Sequence, residues 1–376
     1  MQDAHHARAA TRRHQVARWV LSVAAALFVG FGWAAAATAA DVPWTLPESG
    51  EAAACSAASP VGDLGYTPGR GLHVGNTGLT LGGYADAFLN RNEGGPAELG
   101  ADDVSVFVIL DPLARLHLFS ELEVEDLVHV DDHGHGGTNE SSFLAERLYG
   151  DLTASDRLAV RLGKFLTPVG RWNVIHAQPL VWTTSRPLTT LLPFDAHTTG
   201  AMLFGSVLPD DSSVAYSVYG QFVNSLDPQA DQPHPSDRSA GLRLAYNAST
   251  NASFGASYLA SHTQGEWDHL VGLDTLWQRG RFELMGEAVL EDGTGNLGWQ
   301  WGFYLQPVVR LLQRTYLVGR YEHFDQRTPD PQVNLVVTGI AFKPVPYVVL
   351  KAEYLFADHV AADSPPGVKT SLAILF

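Results

Sequence analysis

The stretch "HVDDHGHGG" (129–137) gathers His129, Asp131, Asp132, His133 and His135 within one short segment. Neutral imidazoles and carboxylates are ligands for Zn²⁺ or Ni²⁺. The segment is Gly-rich and lacks cysteine, so its spacing encodes no fixed coordination geometry, and a solvated loop fits the same residues. A second candidate is "PVGRWNVIHAQPLVWTTSRPLTTLLPFDA" (168–196). Trp172, Ile175, Leu180, Val181, Trp182, Leu191, Leu192 and Phe194 make it too apolar for a solvated surface loop. Packed inward, it would narrow whatever encloses it. Arg171, His176 and Arg186 would then stand at the constriction, either facing it or bonding loop carbonyls and nearby carboxylates.

A third set of charges recurs at alternate positions of apolar segments. In "FELMGEAVLE", Phe282, Leu284, Ala288 and Leu290 lie opposite Glu283, Glu287 and Glu291. In "RLHLFSELEVED", Leu116, Leu118, Leu122 and Val124 oppose Glu121, Glu123 and Glu125. The same reading puts Asp86, Asp274, Glu322 and Glu353 on the charged face, with Arg115, Arg161, Arg243, Arg320, Lys351 and Lys369. Rings of charge around a watery lumen select among ions, and acids outnumber bases here, which leans toward cations. Part of the set would instead form ion pairs between wall and loop. Catalysis is not expected: lipolytic and proteolytic barrels use fewer strands, and the acids and histidines they need are common in any acidic loop set. No cofactor is expected.

The elements that position these groups are strands. Alternating segments fall near 79–90, 103–110, 115–126, 143–152, 157–167, 197–207, 213–223 and 238–247. Eight more fall near 252–262, 267–278, 281–291, 297–306, 314–324, 333–343, 347–357 and 368–376. Most have the length a tilted strand needs to cross a bilayer. The strands at 143–152, 197–207 and 333–343 show no clear face. Tight turns such as "TASD", "QRGR" and "KPVP" alternate with long polar loops such as "NSLDPQADQPHPSD" and "DHVAADSPPG". Short turns at one end and long loops at the other suit a barrel with both termini in the periplasm. Trp267 and Trp277 bracket one strand, as interfacial girdles require. The expectation is an all-β, transmembrane, antiparallel up-and-down barrel of about 16 strands over 78–376.

The N-terminus bears on the compartment. Arg8, Arg12, Arg13 and Arg18 precede "WVLSVAAALFVGFGWAAAATAA", which ends in an Ala37-x-Ala39 pattern, so 1–40 reads as a signal peptide. An uncleaved anchor helix is the alternative. Residues 41–77 read as a flexible periplasmic segment. The net charge of −16 becomes −19 without residues 1–40, arguing against nucleic acid. Cys55 is the single cysteine, so no internal disulfide forms.

"RLGKFLTPVGRWN" (161–173) and "VGRYEHFD" (318–325) resemble stretches of the phosphate-selective porin O and P family. A C-terminal Phe376, with Ile374 and Leu372 on the same face, resembles the signal read by the barrel-assembly machinery of bacterial outer membranes. The resemblance implies a homotrimeric outer-membrane pore, with lipids around it and small solutes or ions inside. The family's phosphate selectivity rests on an arginine ladder and a lysine cluster with no counterpart here, and Val169 replaces an expected aromatic residue. A weakly cation-preferring pore is therefore expected, with a phosphate-type pore or a loop-plugged scaffold or adhesin as alternatives.

Overall fold

The computed structural model describes residues 64–376 except 135, 138–141, 156, 176, 208–211, 224–235, 264, 294–297, 327–331 and 359–363. The signal peptide, Cys55, His135 and His176 lie outside the described residues.

Two short strands come first, β1 (Leu64–Thr67) and β2 (Gly71–Val74). The wall then begins with β3 (Leu79–Asn92), β4 (Ala97–Leu113) and β5 (Leu116–Glu125). After the short β6 (Val128–Asp131) and β7 (Gly136–Gly137) it continues with β8 (Ser142–Ser155) and β9 (Leu158–Leu166). The inserted loop carries two single-turn helices, α1 (Trp172–Ile175) and α2 (Leu188–Leu191). Next come β10 (His197–Val207), β11 (Ser213–Gln221), β12 (Arg238–Ser249), β13 (Ala252–Thr263), β14 (Glu266–Arg279) and β15 (Phe282–Gly293). The last five are β16 (Gly298–Leu312), β17 (Thr315–Asp325), β18 (Val333–Val345), β19 (Val348–Ala357) and β20 (Gly367–Leu375).

Omitting β1, β2, β6 and β7 leaves sixteen wall strands, each antiparallel to the next, and β20 closes the ring on β3. At the seam, Phe376 N donates to Gly83 O at 2.9 Å and Gly83 N donates to Phe376 O at 3.0 Å. Gly83 is obligatory there, because a Cβ would meet Ser105 O at 2.1 Å and the Phe376 ring at 2.8 Å.

The two faces of the wall decide the solvent on each side. Glu121, Glu123, Asp274, Glu287, Glu291, Arg320, Glu322, Lys351 and Glu353 are buried inside the ring. Leu118, Val271, Leu273, Leu290, Trp299, Trp301, Leu317, Phe356, Leu372 and Ile374 are exposed outside it. A soluble barrel has the opposite arrangement. Apolar outside and polar inside is a transmembrane β-barrel, in which every strand finds its hydrogen bonds within a closed sheet. Among the described residues no helix is long and apolar enough to cross a membrane.

Two expectations change. Part of the segment read as flexible, 64–77, forms the β1–β2 hairpin, and Leu72, His73 and Val74 pair with Leu81, Thr80 and Leu79 of β3. Gly69 and Gly71 take positive φ there, so the glycines that suggested a linker are turn residues. Arg115 lies in the exposed turn between β4 and β5, so it stands at the rim and not on the inner wall.

Two of the three strands without a legible face also find their reason. On β18 the inward residues Val333, Leu335 and Val337 are themselves apolar and buried, so both faces of the strand look alike. On β8, Glu146 is an extra residue at a bulge opposite Glu121 and Leu122, which shifts the alternation by one.

Candidate functional site

The loop between β9 and β10 enters the ring and is fastened to its inner wall. Glu287 of β15 accepts the backbone N–H of Arg171 at 2.9 Å and of Trp172 at 2.6 Å. Glu353 of β19 accepts Thr184 N at 3.0 Å and Ser185 N at 2.7 Å. Glu322 of β17 accepts Leu188 N at 2.7 Å, and Glu283 accepts the Trp182 indole N–H at 2.6 Å. Glu287, Glu353 and Glu322 each supply an acceptor to backbone N–H groups that a short irregular turn leaves unpaired, which is how such backbone survives away from bulk water.

Wall cations treat the loop's carbonyls in the same way. Arg320 donates to Ser185 O at 2.9 Å, Ser185 Oγ at 2.7 Å and Thr183 Oγ1 at 2.5 Å. Its Nε meets Glu322 at 2.5 Å. Lys351 donates to Gln178 O at 2.9 Å, Gln178 Oε1 at 2.6 Å and Thr183 O at 3.1 Å. Arg243 donates to Gly170 O and, at 2.9 Å, to Asp274. Gly170 has φ 66°, and a Cβ there would meet Glu287 Oε2 at 2.0 Å, so only glycine lets the chain come this close.

Apolar packing completes the fastening. Val169, Leu188 and Phe194 join Phe165, Met202, Leu270, Val289, Phe324 and Val333 in one cluster. Trp172 and Val181 pack on Met285 and Tyr304, while Ala177 joins Tyr84, Phe107, Phe119 and Leu375. The loop thus touches β15–β16 on one side and β3–β5 on the other.

Of the expected constriction residues, Arg171 points its Nη2 at Ser253 Oγ, 2.6 Å away, with its Nε 4.0 Å from Asp274. Burial lowers this guanidinium below the ordinary arginine value, with Asp274 opposing and Arg243 adding to the shift. Arg186 donates to Asn173 Oδ1 and Thr190 O, each at 2.7 Å, and lines the remaining space. Of the other expected wall charges, Glu121 pairs with Arg147, Arg161 with Asp151 at 2.7 Å, and Glu291 with Gln300. The structure therefore ties Glu283, Glu287, Glu322, Glu353, Arg320 and Lys351 to the loop and leaves a different set around open space.

That space is a cavity of about 190 Å³. Asp103, Glu123, Glu125, Glu146, Tyr84 and His197 line its strand side, and Trp172, Asn173, Gln178 and Arg186 its loop side. Ligand oxygens of Asp103, Glu123 and Glu125 lie within 4.8 Å of one another. Glu123 accepts Ser105 Oγ at 2.5 Å, and Glu146 lies 2.8 Å from His197 Nε2. Glu123 and Glu125 were expected on the lumen wall. Asp103, Glu146 and His197 were not, although Asp103 sits in step with Ser105 and Phe107 on β4. The histidine loop places His129 and Asp131 on β6, with His133 Nδ1 at 3.2 Å from Asp132 and 3.9 Å from Asp131. Among the described residues, the convergent acidic group is the one on β4 and β5 instead.

No protein-family model matches the chain. An uncharacterized protein of Aquifex aeolicus (strain VF5) is 24% identical over 341 residues, covering 75% of this chain and 76% of its own. Salmonella typhi OmpF, solved in complex with daunomycin, superposes with a TM-score of 0.59 at 12% identity, over 81% of this chain and 99% of its own. An anion-selective porin from Comamonas acidovorans gives 0.55 at 16% identity, over 79% and 99%. At these identities the likeness is one of fold: a sixteen-stranded barrel of the general kind seen in bacterial outer-membrane porins.

Proposed function

We propose that this protein is a narrow diffusion channel of a bacterial outer membrane, passing small hydrophilic solutes and ions with a weak preference for cations. The observation that carries the reading is the lumen itself. A polar inner wall is constricted by an inserted loop, and the open space left beside the loop is faced by Asp103, Glu123, Glu125 and Glu146. Fixed carboxylates at a narrow point raise the local cation concentration and lower that of anions, most strongly at low salt. Arg186 on the opposite side moderates the preference. The acidic lining runs against a phosphate-type pore. The expected assembly is a homotrimer.

The purified protein in a planar bilayer under a KCl gradient tests this. The expected reversal potential has the sign of modest cation preference. A strong anion preference blocked by phosphate would replace this reading with the phosphate-type one.

A plugged, non-conducting barrel is the second reading. It is favoured by the loop's reach from β15–β16 to Ala177 against Tyr84 and Phe107. Absence of any conductance would select it.

A further inference from the structure

The outer face of the wall is not uniform around the ring. Among the described residues, β12–β19 expose ten aromatic side chains, with Trp267 and Trp277 at the two ends of β14 and Trp299 and Trp301 at one end of β16. Aromatics so placed mark the levels where a barrel meets the two membrane–water interfaces. The five adjoining strands β3, β4, β5, β8 and β9 expose one, Phe143. Their outer face is built instead from aliphatic residues such as Leu81, Val106, Leu118, Leu148 and Leu162. On β3 it narrows to Ala85 and Ala87, which flank the inward Asp86. Small side chains set among leucines make an even surface that another backbone can approach closely.

The same face continues toward the loop end of the barrel. Beyond the end of β5, β4 pairs with β6 over Glu98–Ala101. There Leu99 is 59% exposed, with the exposed Leu89 of β3 opposite it on one side and the exposed Val130 of β6 on the other. Outward apolar residues thus run along β4 from Leu113 to Leu99. At about 3.3 Å per residue and a tilt of about 40°, that stripe rises roughly 35 Å, whereas the apolar band of a barrel is about 25 Å tall. Lipid tails cannot cover both of its ends.

We propose that the outer face of β3, β4, β5, β8 and β9 is where further copies of this chain pack. This rests on the homotrimer expected above and gives it a contact face. Lipid is the competing occupant, and this face lacks the aromatic girdle that lipid-facing strands carry on the other side of the ring. Copies in one membrane share height and orientation, so in a ring about the membrane normal each turns the same full-height face to the axis. Five strands about 4.8 Å apart and about 12 residues long offer on the order of 1,000 Å², against about 800 Å² per partner in a stable interface.

The test is the mass of the detergent-extracted, full-length mature protein, by light scattering coupled to gel filtration. The wild type is expected to be an oligomer. The double variant Ala85→Trp, Ala87→Trp is expected to lose it, because two indoles break the even surface. Ala256→Trp, at an exposed position of β13 on the girdle side, should keep it. Leu99→Gln with Val130→Gln, at the loop end of the face, should also shift the mass toward monomer. Heat-modifiable migration in gels confirms that each variant is folded, and where the tryptophan pair does not fold the glutamine pair decides. An oligomer that survives the interface variants overturns this face and leaves the homotrimer standing. Loss of the oligomer in Ala256→Trp also overturns it. A second polypeptide in the complex overturns the assignment to copies of this chain. A monomeric wild type overturns the homotrimer and this face together, while conductance tests the channel separately.

Discussion

At the scale of single residues, the wall charges divide into fasteners and lining. Glu283, Glu287 and Glu353 hold N–H groups of the loop, whereas Asp103, Glu123 and Glu125 face open space. Replacing Asp103, Glu123 and Glu125 by their amides should therefore reduce cation preference, read as a shift of reversal potential toward zero. The amides of Glu283 and Glu287 should shift it less and act mainly on loop order. Gly170→Ala acts on the same anchor, since its φ of 66° disfavours a side chain and its Cβ would displace the Glu287 carboxylate that holds Arg171 and Trp172. It should weaken loop docking by about 1–3 kcal/mol, the usual cost of overpacking. The expected readout is a larger and noisier single-channel conductance. Which face a charge occupies was legible from alternation on β5, β15 and β17. Which partner it meets was not, because Glu353 and Ser185 lie 168 residues apart and no local pattern records such a pairing.

At the scale of elements, legibility followed the chemistry of the inner face. Where that face is charged, as on β5 and β15, period two stands out and the strand is found within a few residues. Where the loop packs against it, as on β18, apolar residues fill both faces and the signal disappears. The bulge at Glu146 hides β8 in another way, by changing phase midway. The seam strand was readable because Val368, Leu372, Ile374 and Phe376 alternate with Lys369 and Ser371 up to Phe376. Replacing Phe376 with Asp puts a charge at the lipid-facing end of β20 and should lower the yield of folded barrel. Boiled and unboiled samples that migrate as wild type does would count against the seam assignment.

At the scale of the whole molecule, composition separated two candidate classes only in part. Alternation alone fits a soluble barrel as well as a membrane one. The decisive fact is which face looks inward, and the closed ring supplies it. The acidic balance belongs to the same scale: the cation preference should weaken as KCl is raised, because screening shortens the reach of the lining charges. Maturation is a property of the full chain. Cleavage is expected close to Ala39 or Ala40, and intact mass of membrane-extracted protein checks it. A species that keeps residues 1–40 would favour an anchor helix instead.

The loop's fastenings carry a consequence for the order of folding. Those that wall charges make with Gly170 to Leu188 come from strands that follow in the chain, from Arg243 to Glu353, across 73 to 173 residues. Contacts of such separation close long loops and form late. The loop's hydrogen-bonded anchors on the wall therefore form only once β12–β19 stand beside one another, and its docking must trail the assembly of the wall. Refolding into detergent micelles should then show two kinetic phases. Circular dichroism near 215 nm would rise first as strands pair. Emission from Trp172 and Trp182, isolated by replacing the other tryptophans with phenylalanine, would blue-shift in a slower second step. Removing the Glu353 and Glu322 acceptors should slow or abolish that step and leave the first unchanged.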